Sequence, residues 1–254
     1  MNENQPSTSE DQDFVAPETG KEEIDKGYPV ETIGDIEPTQ LSPEQFDQQA
    51  WLFHAANSAD FHVTQDFDYS QEIVDTATLG QGLYTTTDQK VAQNYAALRQ
   101  AAAVAKLLPF QAKMLNLTEA KEARNASVPK EIVREWVEFA RPQIIDRVRQ
   151  TSDQLQVSRY SDVLGKMAKL VQKDIVDLRR DILDTGNAPF SIVDDLWREF
   201  CQVQGWDGVI CVEGGEDHFS KNQDRTYIFY NLEKVGTYRD WQERKARQES
   251  NELQ

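Results

Sequence analysis

The sequence predicts an α+β fold, and two observations carry the prediction. Short β-prone clusters sit near residues 51–54 and 83–86 and again at 208–212 and 225–230, bounded by turn-forming or polar residues. Between the two pairs, residues 117 to about 184 carry apolar side chains at helical rather than alternating spacing. A chain of 254 residues can fold as one substantial domain or two small ones.

Residues 1–40 read as a solvated acidic tail, because they hold eleven acids against two bases and show no apolar period. Ser42-Pro43-Glu44-Gln45 then gives a helix start, with Ser as cap, Pro at the first helical position and Gln three residues on. That helix is expected to reach about Ala50 and to lead into a strand at Trp51–His54. Residues 55–79 read as irregular and Leu83–Thr86 as a short strand. Thr87-Asp88 opens another helix, bearing Val91, Ala92, Tyr95 and Ala96 and expected to run to Leu107 or Leu108, where Pro109 disfavours continuation.

In the helical middle, Ile132, Val133, Trp136, Val137, Ala140, Ile144, Ile145 and Val148 form one stripe. Pro142 is expected to kink or split it. Leu164, Met167, Leu170, Val171, Ile175, Leu178 and Ile182 form a second stripe, as in a helical pair whose faces bury each other. Ser191 starts a helix with Ile192, Leu196, Trp197, Phe200 and Cys201, closed by Gly205. Strands are expected at Gly208–Val212 and Arg225–Tyr230, joined by a polar loop. Residues 239–254 read as a charged, mobile helical tail.

The net charge of −17 disfavours non-specific nucleic-acid binding as a main role. It leaves room for a local basic patch among Arg141, Arg147, Arg149, Arg159, Arg179 and Arg180. Cys201 and Cys211 are the only cysteines, each in an apolar stretch, which points to a reducing compartment and no disulfide framework. No apolar run approaches the roughly 20 residues of a membrane span. The first residues lack the basic start and apolar core of a secretory signal, so a cytoplasmic protein is expected.

Few chemical motifs stand out. His54, His62 and His218 are not spaced as metal ligands with any cysteine, although Asp60, Asp66 and Asp68 flank His62, and no metal is expected. Neither a P-loop nor a GxGxxG following a strand is present. Two stretches remain, Trp51–Phe61 and Leu79–Ala96. Taken singly, His54 reads as a structural histidine, Tyr84 and Tyr95 as core aromatics, and Gly80 and Gly82 as turn residues.

Taken together and in order, they resemble ADP-ribosyltransferases of the diphtheria-toxin and poly(ADP-ribose) polymerase type. Leu52-Phe53-His54-Ala55-Ala56-Asn57-Ser58 is similar to the family's first strand, an apolar pair followed by His and usually Gly. Gly80-Gln81-Gly82-Leu83-Tyr84 resembles its Gly-x-Gly-apolar-Tyr strand, and Val91–Ala96 the segment bearing a second stacking Tyr. Trp206-Asp207-Gly208-Val209-Ile210 and Tyr227–Val235 resemble two later strands of bacterial and phage members. These segments cover about 50 residues between 51 and 236.

The resemblance implies a split, mostly antiparallel core over residues 41–238, with a helical insertion at about 110–184. It implies NAD as substrate, with His54, Ala55, Gly82, Tyr84 and Tyr95 around the nicotinamide and its ribose. A flat, electron-poor nicotinamide suits two aromatic faces, and His54 would bond a ribose hydroxyl. The carboxamide would meet the backbone at Ala55. In polymerising members a Glu precedes the closing strand, whereas here that position is Thr226. Chain elongation is therefore not expected, and single transfer to a protein or nucleic-acid acceptor is. Asp224, two residues earlier, is the first candidate for the missing charge; Glu213 and Glu216 are looser ones. The family also implies a toxin or effector acting in a cytoplasm, with a neutralising partner protein. The alternatives are a catalytically silent relative serving as a binding module, and an all-helical adaptor with incidental strands.

Overall fold

The computed structural model describes residues 28–67, 81–118, 130–170, 191–212 and 225–252. The architecture is α+β, an eight-stranded, mostly antiparallel sheet accompanied by seven helices among the described residues. The all-helical alternative is thereby set aside. The strands are β1 (Val30–Ile33), β2 (Leu52–Ala56), β3 (Leu83–Thr86), β4 (Ala103–Pro109), β5 (Ala112–Asn116), β6 (Gly208–Val212), β7 (Arg225–Phe229) and β8 (Val235–Gly236). Their order across the sheet is β1-β5-β6-β7-β3-β2-β4-β8, and only β5 and β6 pair in parallel.

Helix α1 (Pro43–Gln49) starts as the sequence dictates. The Ser42 hydroxyl accepts from the Gln45 N–H at 3.2 Å, and the Gln45 side chain accepts from the Ser42 N–H at 2.9 Å, completing a capping box. The one-turn helix α2 (Val63–Asp66) follows β2, and α3 (Gln89–Arg99) follows β3. Helices α4 (Lys130–Gln150), α5 (Gln154–Leu170) and α6 (Ser191–Val203) make the helical layer, and α7 (Tyr238–Glu252) ends the described chain.

Two cores lie on the two faces of the sheet. On one, Ile132, Trp136, Ala140 and Ile144 of α4 recur every four residues and meet Val163 and Met167 of α5 and Leu196, Trp197 and Phe200 of α6. These pack on Leu115, Val209, Cys211, Ile228 and Tyr230 of the sheet. On the other face Ile33, Leu52, Leu83, Leu107, Met114, Ile210 and Phe229 join Phe61 and Val63. At Gly208 the sheet leaves no room for a side chain, since a Cβ there would lie 2.1 Å from the Ile228 carbonyl oxygen. Cys201 and Cys211 are both buried and are not joined in a disulfide.

Several expectations need correction. The acidic tail does not extend to residue 40, because Val30–Ile33 pair with Ala112–Leu115 and bury Ile33. An edge strand needs little apolar content when a neighbour supplies its hydrogen bonds. Helix α3 stops at Arg99 rather than near Leu107, because Gln100 turns into the left-handed region at φ 54°. The alanine-rich run after it, with high intrinsic helix propensity, is instead the strand β4, paired with β2 from Leu52↔Leu107 to Ala56↔Ala103. The helical insertion begins after β5, not at 110; residues 171–190, with the second half of the second stripe, lie outside the described residues.

The C-terminal helix is also docked rather than a mobile tail. Trp241 is buried and donates its indole N–H to the Leu108 carbonyl at 3.1 Å. The buried Arg244 guanidinium donates to the carbonyls of Glu233, Leu232 and Val235 at 3.0, 2.8 and 2.9 Å. Pro142 neither splits nor ends α4, which runs through it with Pro142 exposed.

Since Ile33 anchors β1, Ile33→Ala is expected to cost about 2–5 kcal/mol. Urea denaturation monitored by circular dichroism measures the loss; a change below about 0.5 kcal/mol would return residues 28–40 to the status of a tail.

Candidate functional site

The site lies where the sheet comes apart. β2 is paired with β4 along its whole length, but with β3 it shares a single registered pair, Phe53↔Thr86. β3 is fully paired on its other edge, from Leu83↔Phe229 to Thr86↔Thr226 of β7. The strands diverge beyond Phe53, and a cleft of about 540 Å³, including space open to solvent, occupies the divergence.

Four elements line it. β2 contributes Phe53, His54 and Ala55; β3 contributes Tyr84, Thr85 and Thr86; α3 contributes Val91, Ala92, Tyr95 and Arg99; β7 contributes Thr226. Directly opposed residues share a sheet face, so Phe53, Tyr84, Thr86 and Thr226 project to one side. Helix α3 is set over this opening by the Asp88 cap, whose carboxylate accepts from the Lys90 N–H at 2.7 Å. Its Val91, Tyr95 and Arg99 follow one another at four-residue spacing and so fall on one helix face.

His54 is on the buried side of β2 with Leu52 and Ala56, yet its ring reaches into the gap between the strands. Its Nδ1 lies 2.8 Å from the Tyr84 carbonyl oxygen. A carbonyl only accepts, so Nδ1 carries the proton. The ring packs against Phe61, with centroids 5.2 Å apart, and meets Phe67 edge-on at 6.3 Å. Burial pushes the His54 pKa down to about 4; the Tyr84 carbonyl works against this, and the charge of Arg99 adds to it. The imidazole is therefore neutral at pH 7, and Nε2 is an acceptor with a lone pair to offer.

The structure thus brings together His54, Ala55, Tyr84, Tyr95 and Thr226, five residues singled out in separate segments of the sequence. Gly82 does not line the cleft. It is buried beneath the neighbouring strand, where a Cβ would lie 2.6 Å from Ile228 Cγ2 and 3.0 Å from the Tyr230 ring. Its lack of a side chain serves packing. Asp224, Glu213 and Glu216 lie outside the described residues. Among the described residues, no group of three His, Cys, Asp or Glu side chains converges as a metal site. No described helix is long and apolar enough to cross a membrane.

Arg99 and Thr86 are cleft residues that the sequence reading missed. Arg99 had a signal, its spacing of four from Tyr95 and eight from Val91, but the helix was expected to continue past it. Thr86 had none, because its position depends on pairing with a residue 140 places away. Comparison of the chain with protein-family models, with curated proteins and with solved structures finds no match in any of the three.

The buried neutral histidine has a pH consequence with a definite sign. Its folded pKa lies below the ordinary value of 6.5, so between pH 6.5 and 4 the unfolded chain binds the extra proton. Stability is full above pH 6.5 and falls as pH drops through the window, by roughly 3 kcal/mol at most from this group. His54→Asn, whose side-chain amide can still donate to the Tyr84 carbonyl, is expected to lose that slope. Denaturant midpoints at pH 7, 5.5 and 4 for both chains test it; equal slopes would place the acid sensitivity elsewhere.

Proposed function

We propose that the chain is an ADP-ribosyltransferase that moves a single ADP-ribose from NAD to a macromolecular acceptor, a protein or a nucleic acid. The observation that supports it most is the joint lining of one cleft by His54, Ala55, Tyr84, Tyr95 and Thr226. These residues come from the segments that resemble the successive signatures of that family. Other folds can offer an aromatic cleft, so the reading rests on the site rather than on the sheet.

In this reading the nicotinamide ring stacks with Tyr84 and Tyr95. The carboxamide takes its donor and acceptor from the main chain at Ala55, where β2 has no registered β3 partner. His54 Nε2 accepts from a hydroxyl of the nicotinamide ribose. The bond from ribose C1′ to the pyridinium nitrogen breaks, and its electron pair leaves with neutral nicotinamide. The acceptor's lone pair then bonds C1′, and the acceptor gives up its proton. Positive charge that builds on the ribose is stabilised by any nearby oxygen dipole or anion. The Thr226 hydroxyl is one such group, and we assign the charge itself to Asp224.

A second reading has its own support. None of the described cleft-lining residues is a carboxylate, which favours a relative that binds NAD without turning it over.

Labelled NAD incubated with the chain and a cell lysate, followed by separation of protein from nucleic acid, distinguishes the two. Transfer of label that is lost in Tyr84→Ala supports the enzyme. Saturable NAD binding with no transfer supports the binding module, and no binding at several millimolar overturns both. Removing the Tyr84 face is expected to weaken NAD by about 1–3 kcal/mol, by analogy with base–aromatic stacking. Thr226→Glu supplies the carboxylate found in polymerising relatives and is expected to raise single-turnover transfer by roughly tenfold or more. A rate unchanged by Thr226→Glu would argue that Thr226 does not face the ribose.

A further inference from the structure

We propose that Asp240, on the C-terminal helix α7, is a positioning residue for the cleft. It holds the short helix α2, and α2 in turn holds two phenyl rings on the His54 imidazole. This applies whatever ligand the cleft takes.

His54 is seated by rings that α2 carries. Its centroid lies 5.2 Å from that of Phe61, and it meets Phe67 edge-on at 6.3 Å. Phe61 comes just before His62, the cap residue of α2, and Phe67 is the residue that ends the helix. Two apolar neighbours of the imidazole are therefore placed by one turn of helix. Burial is the largest cause of the low His54 pKa, and these rings are part of what keeps water from it.

Helix α2 does not fix its own geometry. One turn of four residues is too short to be stable alone. Its cap residue His62 makes no side-chain cap bond. The Val63 N–H, at the first helical position, has no carbonyl within the helix to bond. Helix α7 supplies the acceptor: Asp240 Oδ2 takes the Val63 N–H at 3.2 Å, from 177 positions away.

The Asp240 carboxylate is itself fixed. It is buried, and the same oxygen accepts from the Thr237 N–H at 2.9 Å and the Thr237 hydroxyl at 2.7 Å. Further contacts run between the same two helices. Gln65 donates to Glu243 Oε2 at 3.1 Å, and the His62 ring nitrogens lie 3.4 Å from Asp240 Oδ1 and 4.0 Å from Glu243 Oε1. Phe61 and Val63 also belong to a core cluster. Apolar burial is non-directional, so it keeps α2 near the sheet, while the bond from Val63 to Asp240 sets how the turn faces.

The test is the acid titration of His54, followed by NMR on the full chain with isotope-labelled histidine, in wild type, Asp240→Ala and Asp240→Asn. Asp240→Ala is expected to raise the His54 pKa from about 4 by at least roughly one unit, as water reaches the ring. Asp240→Asn keeps an acceptor oxygen for the Val63 N–H and is expected to titrate as wild type does. Loss of the Asp240 charge by itself acts in the opposite direction, because a carboxylate favours the imidazolium. An unchanged or lowered His54 pKa in Asp240→Ala would therefore overturn the proposal, and so would an Asp240→Asn chain that matches Asp240→Ala. Native-state hydrogen exchange on the wild-type chain serves if Asp240→Ala does not fold. The Val63 amide is expected to open together with the amides of α7, with equal protection. A Val63 amide better protected than those of α7 would mean that α2 stands without that helix, and would overturn the assignment.

Discussion

A side-chain bond from His54 Nδ1 to the Tyr84 carbonyl bridges the sheet where its main-chain ladder lapses. To one side, β2, β4 and β8 pair as one unit; to the other, β3, β7, β6, β5 and β1 pair as a second. Among the described residues the registered pair Phe53↔Thr86 and this imidazole bridge β2 and β3, and Leu52 and Leu107 pack with Leu83 and Phe229 across the join. Burying an imidazole costs hydration, which the Tyr84 carbonyl and the flanking Phe61 and Phe67 rings partly offset. The same bond fixes the tautomer, orients Nε2 as an acceptor and leaves the strands apart. A fully laddered sheet would have no opening here.

The rest of the molecule braces this opening from both faces. Tyr84 leans on the helical core of α4, α5 and α6, and Tyr230 of that core accepts the Trp197 indole N–H at 2.9 Å. On the far side, α7 is tied to the sheet edge by Arg244, which reads three carbonyls of the 232–235 turn and lies 4.3 Å over the Trp241 ring. Asp240 adds a second tie, accepting from the Val63 N–H at 3.2 Å and from the Thr237 hydroxyl at 2.7 Å. A helix of charged residues thus acts as a clamp through a few buried side chains.

Local chemistry was readable in the sequence and remote pairing was not. Ser42 and Gln45 announce a cap because both partners lie within four residues. His54, Tyr84 and Tyr95 stood out through short patterns around each, and Trp136 and Ile144 through their spacing. β4 was hidden because Ala101–Ala103 favour helix on their own, and only pairing with β2 makes Ala103 a strand residue. β1 was hidden because four half-polar residues at a sheet edge look like any acidic linker. Gly82 was read as a turn beside the ligand, when its constraint is the Ile228 side chain and the Tyr230 ring, 146 and 148 residues on. Arg244 looked solvated because its partners are backbone carbonyls, which leave no mark in a sequence.

The Thr85 hydroxyl donates to a carbonyl 142 positions away, and β5 reaches its parallel partner β6 only across the helical block. Contacts so distant form slowly, because loop closure must be met before they return anything. His54, Tyr84, Tyr95 and Arg99, by contrast, all fall within residues 54–99. During synthesis the N-terminal part emerges first. A nascent chain therefore contains the residues of three walls of the cleft well before it contains Thr226 of β7. Until residues 225–229 have left the ribosome, the strand that pairs with the outer edge of β3 is missing, and so is the Thr226 wall of the cleft.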